Sequence, residues 1–146
     1  MFPYVRKYFL PLLIFLLALS GLNGCSNDSN ANLSLMPLDR MPAYVQISPV
    51  VVQQAYQFAS ANPDVMQGIP CYCGCGAIGH SSNYACYVAG QDENGGLVFD
   101  NHALGCSICV DITKDAMRLL QQGKTVPEIK AYIDESYSKY GPSNMP

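Results

Sequence analysis

Eight side chains that can bind a soft metal ion or exchange disulfides fall within one short stretch of the chain. They are six of the seven cysteines and both histidines: Cys71, Cys73, Cys75, His80, Cys86, His102, Cys106 and Cys109. Thiolates and imidazoles are the ligands that copper(I) and zinc select, and glycines between them let several sulfurs converge on one point. The stretch therefore predicts a metal site, with a copper or zinc ion as the cofactor.

The spacing of Cys71, Cys73 and Cys75 favours metal over disulfides. Side chains two residues apart can both turn toward one ion, whereas a disulfide between them would close a small strained ring. Eight ligands exceed the four of one tetrahedral ion, so we expect either two ions, or one ion together with disulfides. Of these we favour the mixed state, in which Cys106 and Cys109 form a disulfide and the other four cysteines bind metal with a histidine.

Two other interpretations of the same residues stay open. Small exported domains are often held together by disulfides, and six cysteines would give three bridges and a structural or interaction domain. His80 and His102 would have no part in such a scaffold. Cys106 and Cys109 also stand where a helix is expected to begin, which stabilises a thiolate and suits thiol-disulfide exchange. That exchange is the one enzymatic activity the sequence suggests.

Acidic residues flank the second half of the stretch. Asp100 and Asp111 could orient a ligating histidine, although Asp111 equally fits an acid in the first turn of a helix. Eight Lys and Arg against eleven Asp and Glu give a net charge of -3, which excludes a basic nucleic-acid surface. No Ser-His-Asp set, phosphate-binding glycine loop or His-Glu-x-x-His motif occurs, so neither hydrolase nor nucleotide chemistry is predicted.

The N-terminus has the features of a bacterial export signal. Arg6 and Lys7 precede an apolar run over residues 8–19, which is shorter than the roughly 20 residues of a spanning helix. The run leads to the tetrapeptide Leu-Asn-Gly-Cys ending at Cys25, which resembles the lipobox of bacterial lipoproteins. That resemblance implies cleavage before Cys25, a lipid on its thiol and a place on the extracytoplasmic face of the cell membrane, or on the outer membrane where there are two. An ordinary secreted chain is the alternative.

A length of 146 residues allows one small domain. We expect a signal peptide over residues 1–24, a lipidated N-terminus and flexible Asn- and Ser-rich tether over 25–43, a Cys-rich domain over 44–141 and a tail over 142–146.

Helical periodicity predicts a mainly α fold, a small helical domain in which metal or disulfides clamp a Cys- and Gly-rich loop. Helices are expected over residues 49–60, over 64–67, from the Cys106 and Cys109 pair to Gln122, and from the capping box of Thr125 and Glu128 to just before Gly141. Ser82 is expected to cap a short helix carrying Cys86. Leu97, Val98 and Phe99 lean toward β-structure but are too few to define a sheet.

The heptapeptide from Pro70 to Gly76, Pro-Cys-Tyr-Cys-Gly-Cys-Gly, carries a family resemblance. Together with the later Gly79-His80, Asn83, Cys86, His102-Ala103 and Cys106-x-x-Cys109, it resembles the bacterial lipoproteins named for their PCYCGC motif. The resemblance covers about Tyr44 to Tyr140. It implies an envelope lipoprotein with a shared cysteine site and no particular reaction.

The C-terminal third is similar to a second family. Cys106-x-x-Cys109, a helix, Gly123-Lys124-Thr125 and Glu128 resemble the membrane-anchored thiol reductases of cytochrome c maturation. This similarity implies a helical hairpin and gives the exchange hypothesis its support. On either interpretation, we expect the membrane as one partner and an envelope metal-handling or redox protein as another.

Overall fold

The computed structural model describes residues 33–145, so the predicted signal peptide, Cys25 and the first part of the tether lie outside it. This part of the chain contains five α-helices and one two-stranded sheet, in agreement with the predicted mainly α fold. The elements are α1 (Ala43–Gln46), α2 (Val50–Ala61), α3 (Pro63–Met66), β1 (Val88–Gln91), β2 (Leu97–Phe99), α4 (Ser107–Gln121) and α5 (Val126–Tyr137). Among residues 33–145, none of the helices is both long and apolar enough to cross a bilayer.

The core lies where α4 packs against α2 on one side and α5 on the other. Apolar residues at helical spacing supply it: Phe58 and Ala59 from α2, Ile112 and Ala116 from α4, and Ile129 and Ile133 from α5, all fully buried. Truncating one of these isoleucines to alanine would cost about 2–5 kcal/mol. Helical spacing from Ala55 predicts that Val51 faces the core, whereas in the structure Val52 is buried and Val51 is exposed.

A β-hairpin joins the first half of the cysteine stretch to the second. β1 and β2 pair antiparallel, with Val88 opposite Phe99 and Gln91 opposite Leu97. At the turn, the Asp92 carboxylate accepts hydrogen bonds from the N–H groups of two residues that follow it, both at 2.8 Å. The expectation that residues 97–99 could not define a sheet was wrong. The partner strand contains Gly90 and Gln91, so its sequence carries little β signal.

The folded domain extends beyond its predicted start near Tyr44. The backbone N–H of Met36 donates to the carbonyl of Gln57 at 3.0 Å, and the Gln57 side chain donates back to the Met36 carbonyl at 2.8 Å. The Asn62 side chain donates to the carbonyl of Ser34 at 2.8 Å. Side-chain amides on α2 and just beyond it therefore hold residues that composition alone had assigned to the tether.

The predicted capping box at the start of α5 is present. The Glu128 carboxylate accepts the backbone N–H and the hydroxyl of Thr125, each at 2.8 Å. These bonds and the nearby Lys124 lower the pKa of Glu128 to about 2. Gly123, at φ 77°, ends the turn that reverses the chain from α4 into α5. The predicted helical hairpin is thus formed.

Replacing Thr125 with alanine should lower the free energy of unfolding by about 1 kcal/mol, because the N-terminus of α5 loses its cap. Urea unfolding followed by circular dichroism measures the loss. Thr125→Ser is the matched control and should retain most of the stability. Equal stability of the alanine variant and the parent would show that the capping box contributes nothing.

Candidate metal centre

All eight predicted ligand residues come together at one place in the fold. They belong to a loop that follows Pro70, to a 3-10 turn over Tyr84–Cys86, and to the segment that runs from His102 into the first turn of α4. Their ligand atoms form four overlapping groups, and within each group all atoms lie within 4.8 Å of one another. The groups are Cys73, His102, Cys106 and Cys109; Cys75, His80, Cys86 and His102; Cys71, Cys73 and Cys75; and Cys71, Cys86 and Cys109.

The sulfurs are in contact but are not bonded. The Sγ of Cys71 lies 3.4 Å from that of Cys109 and 3.5 Å from that of Cys73, and the Sγ atoms of Cys75 and Cys86 are 3.6 Å apart. A disulfide would bring two sulfurs to about 2.05 Å. Thiolates on one tetrahedral zinc ion, with bonds of about 2.3 Å, lie roughly 3.8 Å apart. The observed separations are therefore those of sulfurs that can bind the same metal ion or two adjoining ions.

The expected disulfide between Cys106 and Cys109 is not formed. All six cysteines of the described part of the chain are free thiols. Cys106 and Cys109 instead share a group with Cys73 and His102. A Cys-x-x-Cys pair opening a helix suits a metal corner as well as a disulfide, and the sequence pattern could not distinguish the two. A scaffold built on three disulfides also has no support among these residues.

Glycines let the first loop fold back on itself. Gly74 and Gly79 have φ values of 85° and 93°, in the left-handed region that side chains rarely adopt, and they bracket a 3-10 turn over Cys75–Ile78. This turn carries the Cys75 thiol into the interior while its neighbours stay exposed. The alternating Cys-x-Cys pattern thus becomes a tight arm that presents three sulfurs to one centre.

The C-terminal tail fastens this arm. The side-chain oxygen of Asn144 accepts the N–H of Cys71 at 2.7 Å, and the Asn144 N–H donates to the Cys71 carbonyl at 3.1 Å. Its side-chain amide also donates to the Sγ of Cys75 at 3.5 Å. Residues 142–146 were predicted to be a tail outside the domain, but Asn144 is part of the site. Nothing in the sequence pattern indicates this contact, because 73 residues separate the partners.

A network of buried polar side chains fixes the backbone carbonyl of Cys109. This carbonyl accepts the hydroxyls of Tyr87 at 2.9 Å and Thr113 at 3.1 Å. The Asn83 amide donates to the Thr113 hydroxyl at 2.9 Å, and the Asn83 N–H donates to the Ile69 carbonyl at 2.7 Å. The network connects the first turn of α4, which carries Cys109, to Ile69 before the first loop and to Asn83 and Tyr87 after it. Asn83 appeared in the family motif, whereas sequence reasoning missed Tyr87 and Thr113.

The two histidines stand at the edge of the cluster with Asp100. Their rings meet edge to face, with centroids 5.1 Å apart, and the Nε2 of His102 lies 3.4 Å from the Sγ of Cys73. Asp100 accepts the backbone N–H of His102 at 2.7 Å, and its other carboxylate oxygen lies 3.4 Å from the Nε2 of His80. Asp100 thus has the position expected of a residue that orients a ligating histidine. Asp111 is exposed and pairs with Lys114, as an ordinary acid of a helix would.

Burial and mutual hydrogen bonds perturb the thiols. The hydrogen bond with Cys109 holds the pKa of Cys71 well below its ordinary value and raises the pKa of Cys109. Burial raises the pKa of Cys73 and of Cys75. The shifts favour the thiolate form at Cys71 and the protonated form at Cys73, Cys75 and Cys109. A metal ion that binds here must displace those protons, as thiolate sites generally require.

Comparison with known proteins assigns the chain to a family. The sequence profile of a family described as "Protein of unknown function with PCYCGC motif" matches residues 13–146. The chain belongs to this family, as its heptapeptide indicated. No curated protein and no solved structure matches the chain, and the similarity to cytochrome c maturation thiol reductases is not shown by these comparisons.

Replacing Asn144 with alanine should loosen the first loop, because the backbone N–H of Cys71 and the sulfur of Cys75 lose their hydrogen bonds with the Asn144 side chain. We expect the free energy of unfolding to fall by about 1 kcal/mol and amide exchange to accelerate over residues 71–75. Hydrogen-exchange mass spectrometry of the reduced protein measures the second effect. Asn94→Ala, in the exposed hairpin turn, is the control. Unchanged exchange over residues 71–75 would show that the tail does not fasten the loop.

Proposed function

We propose that this protein is a membrane-tethered extracytoplasmic lipoprotein that binds a soft transition metal ion, copper(I) or zinc, through its cysteine and histidine cluster. The observation that carries the proposal is the meeting of six thiols and two imidazoles at separations close to those of metal ligands. Sulfur-rich sites of this kind select copper(I) and zinc over harder ions. The acidic chain and the absence of other catalytic motifs make binding, rather than catalysis, the function best supported.

Metal binding also accounts for free thiols in an exported protein. Extracytoplasmic compartments oxidise exposed cysteines, and sulfurs already in contact, such as those of Cys71 and Cys109, need little movement to form a disulfide. A bound ion would occupy the thiolates and so protect them. The ion would therefore contribute directly to the stability of a small domain whose cysteines occupy the core.

The lipid anchor is a proposal from the sequence. The apolar run and the Leu-Asn-Gly-Cys ending support lipidation of Cys25, which lies outside the described residues. A tether at that position would leave the domain beginning a few residues later, close to the membrane surface. The partner would then be another envelope protein that supplies or receives the ion.

Replacing Cys73 with serine should lower bound metal steeply, because this sulfur contacts Cys71, Cys109 and His102. The measurement is the metal content per chain after purification with a non-thiol reductant and without chelator. Ser81→Ala, a change at an exposed position beyond the same loop, should keep full metal content. Full occupancy in the Cys73 variant would count heavily against the metal site.

Replacing Cys25 with serine should release the protein from the membrane, since the thiol that would carry the lipid is gone. Fractionation of cells producing the full chain, together with the intact mass of the membrane-bound form, tests this. The parent should stay with the membrane and be heavier than the cleaved chain by a diacylglycerol group. A membrane-bound parent whose mass shows no lipid would refute the anchor.

Thiol-disulfide exchange is the second candidate, favoured by one observation. Cys106 is the N-cap residue of α4 and is partly exposed, as an attacking thiol would be. Its resolving partner would be Cys109, which is fully buried and in contact with Cys71. A Cys106 and Cys109 disulfide with a mildly oxidising potential would support exchange, whereas a pair that resists reduction would indicate a structural bridge.

A further inference from the structure

The eight candidate ligands can be assigned to two sets that use each residue once. One set is Cys73, His102, Cys106 and Cys109, whose ligand atoms all lie within 4.8 Å of one another. The remaining four residues are Cys71, Cys75, Cys86 and His80. Within this second set every pair of sulfurs is within the same distance, and so is His80 with Cys75 and with Cys86. Each set contains three thiols and one imidazole, which is a common composition of a structural zinc site.

The environment of His80 independently indicates a metal-binding position. Its side chain is only 10% exposed, and its Nδ1 is buried without a hydrogen-bond partner. Its other ring nitrogen, Nε2, faces the Asp100 carboxylate at 3.4 Å. A histidine that binds metal through one nitrogen usually directs the other at a carboxylate, so the unpartnered Nδ1 has the free position that a metal would take.

The backbone around Asp100 fixes that arrangement. The Tyr56 hydroxyl donates to the Asp100 carbonyl at 2.8 Å, and the Asp100 N–H donates to the Tyr87 carbonyl at 2.9 Å. Both tyrosine rings are fully buried. The backbone of Asp100 is therefore fixed by hydrogen bonds to two core tyrosines. Its carboxylate is in position to orient His80 before a metal ion binds.

The two sets differ in their access to solvent. In the set with His80 all three sulfurs belong to buried residues, whereas Cys73, His102 and Cys106 are all partly exposed. Cys106 lines an open groove of about 300 Å³ together with Val52 and Leu104. An ion in the set with Cys106 would exchange with the surroundings more readily than an ion in the set with His80.

We propose that the cluster is a two-ion centre with an inner site of Cys71, Cys75, Cys86 and His80 and an outer site of Cys73, His102, Cys106 and Cys109, in which Asp100 is the positioning residue for His80. This inference rests on the proposed metal-binding function. The sites adjoin each other, since the Sγ of Cys71 lies within 3.5 Å of the sulfurs of both Cys73 and Cys109. The outer site is the one that takes up and releases metal.

Zinc titration of the reduced full chain in detergent, followed by native mass spectrometry, tests the division. The parent should bind two zinc ions, Cys86→Ala one, Cys106→Ala one, and the double variant none. The ion that Cys106→Ala retains should pass to a chelator at least ten times more slowly than the ion that Cys86→Ala retains. Circular dichroism of the metal-free variants checks that each is folded.

Asp100→Asn keeps the oxygen that accepts the His102 N–H and changes the group that faces His80. In the Cys106→Ala background it should weaken zinc binding about 10- to 100-fold. In the Cys86→Ala background it should change zinc binding little, and Asp111→Asn should have no effect in either. His80→Gln should act like Asp100→Asn, which provides a test that spares the buried sulfurs.

The outcomes separate this inference from the function beneath it. A parent chain that binds no zinc and no copper(I) would overturn the proposed function itself. A parent that binds one zinc ion, or two ions that are lost together in either cysteine variant, would retain the function and overturn the division into two sites. Equal effects of Asp100→Asn in both backgrounds would overturn the role of Asp100.

Discussion

The crowding of six thiols around one centre is the constraint on which the rest of this structure depends. Sulfurs 3.4–3.6 Å apart are too far for a covalent bond, and buried neighbouring thiolates would repel one another. The hydrogen bond with Cys109 lowers the pKa of Cys71, whereas burial raises the pKa of Cys73. A positive ion at the centre would reduce the repulsion, so the proposed function makes the stability of the domain dependent on metal.

Three sets of contacts from the surrounding fold hold the cluster in place. Asn144 fastens the first loop from the C-terminal tail, the Tyr87 and Thr113 hydroxyls hold the carbonyl of Cys109, and the core fixes Asp100 beside the histidines. The contacts of Asn144 with Cys71, of Tyr87 with Cys109 and of Tyr56 with Asp100 join residues far apart in sequence. The helices therefore act mainly as a frame, because the ligands lie in loops and in the first turn of α4.

Local sequence rules predicted what short-range physics determines. The capping box at Thr125 and the helices α2, α4 and α5 follow from spacing and residue type alone, apart from the exposed Val51 at the start of α2. The eight ligands were recognisable because soft ligands were concentrated in one stretch. Spacing could not determine whether Cys106 and Cys109 are bonded to each other, because the same pair fits a metal corner, a disulfide and a redox site.

The other features of the fold and site could be identified only from the tertiary structure. The Asn144 contact, the strand around Gly90 and the attachment of residues near Met36 to α2 all depend on partners that no local pattern indicates. The division of the cluster into two sets is of the same kind. Sequence arithmetic shows that eight candidate ligands exceed one tetrahedral site, whereas the proposed division into two sites rests on the distances between their atoms.

The most direct measurement is made on the protein purified without chelator from the cells that produce it. Elemental analysis gives the bound metal, and intact mass before and after thiol alkylation gives the number of free cysteines. This account predicts stoichiometric copper or zinc, with the cluster cysteines becoming available to alkylation once the metal is removed. A metal-free chain that is lighter by the hydrogens of three disulfides, and that alkylates at none of these cysteines, would contradict it.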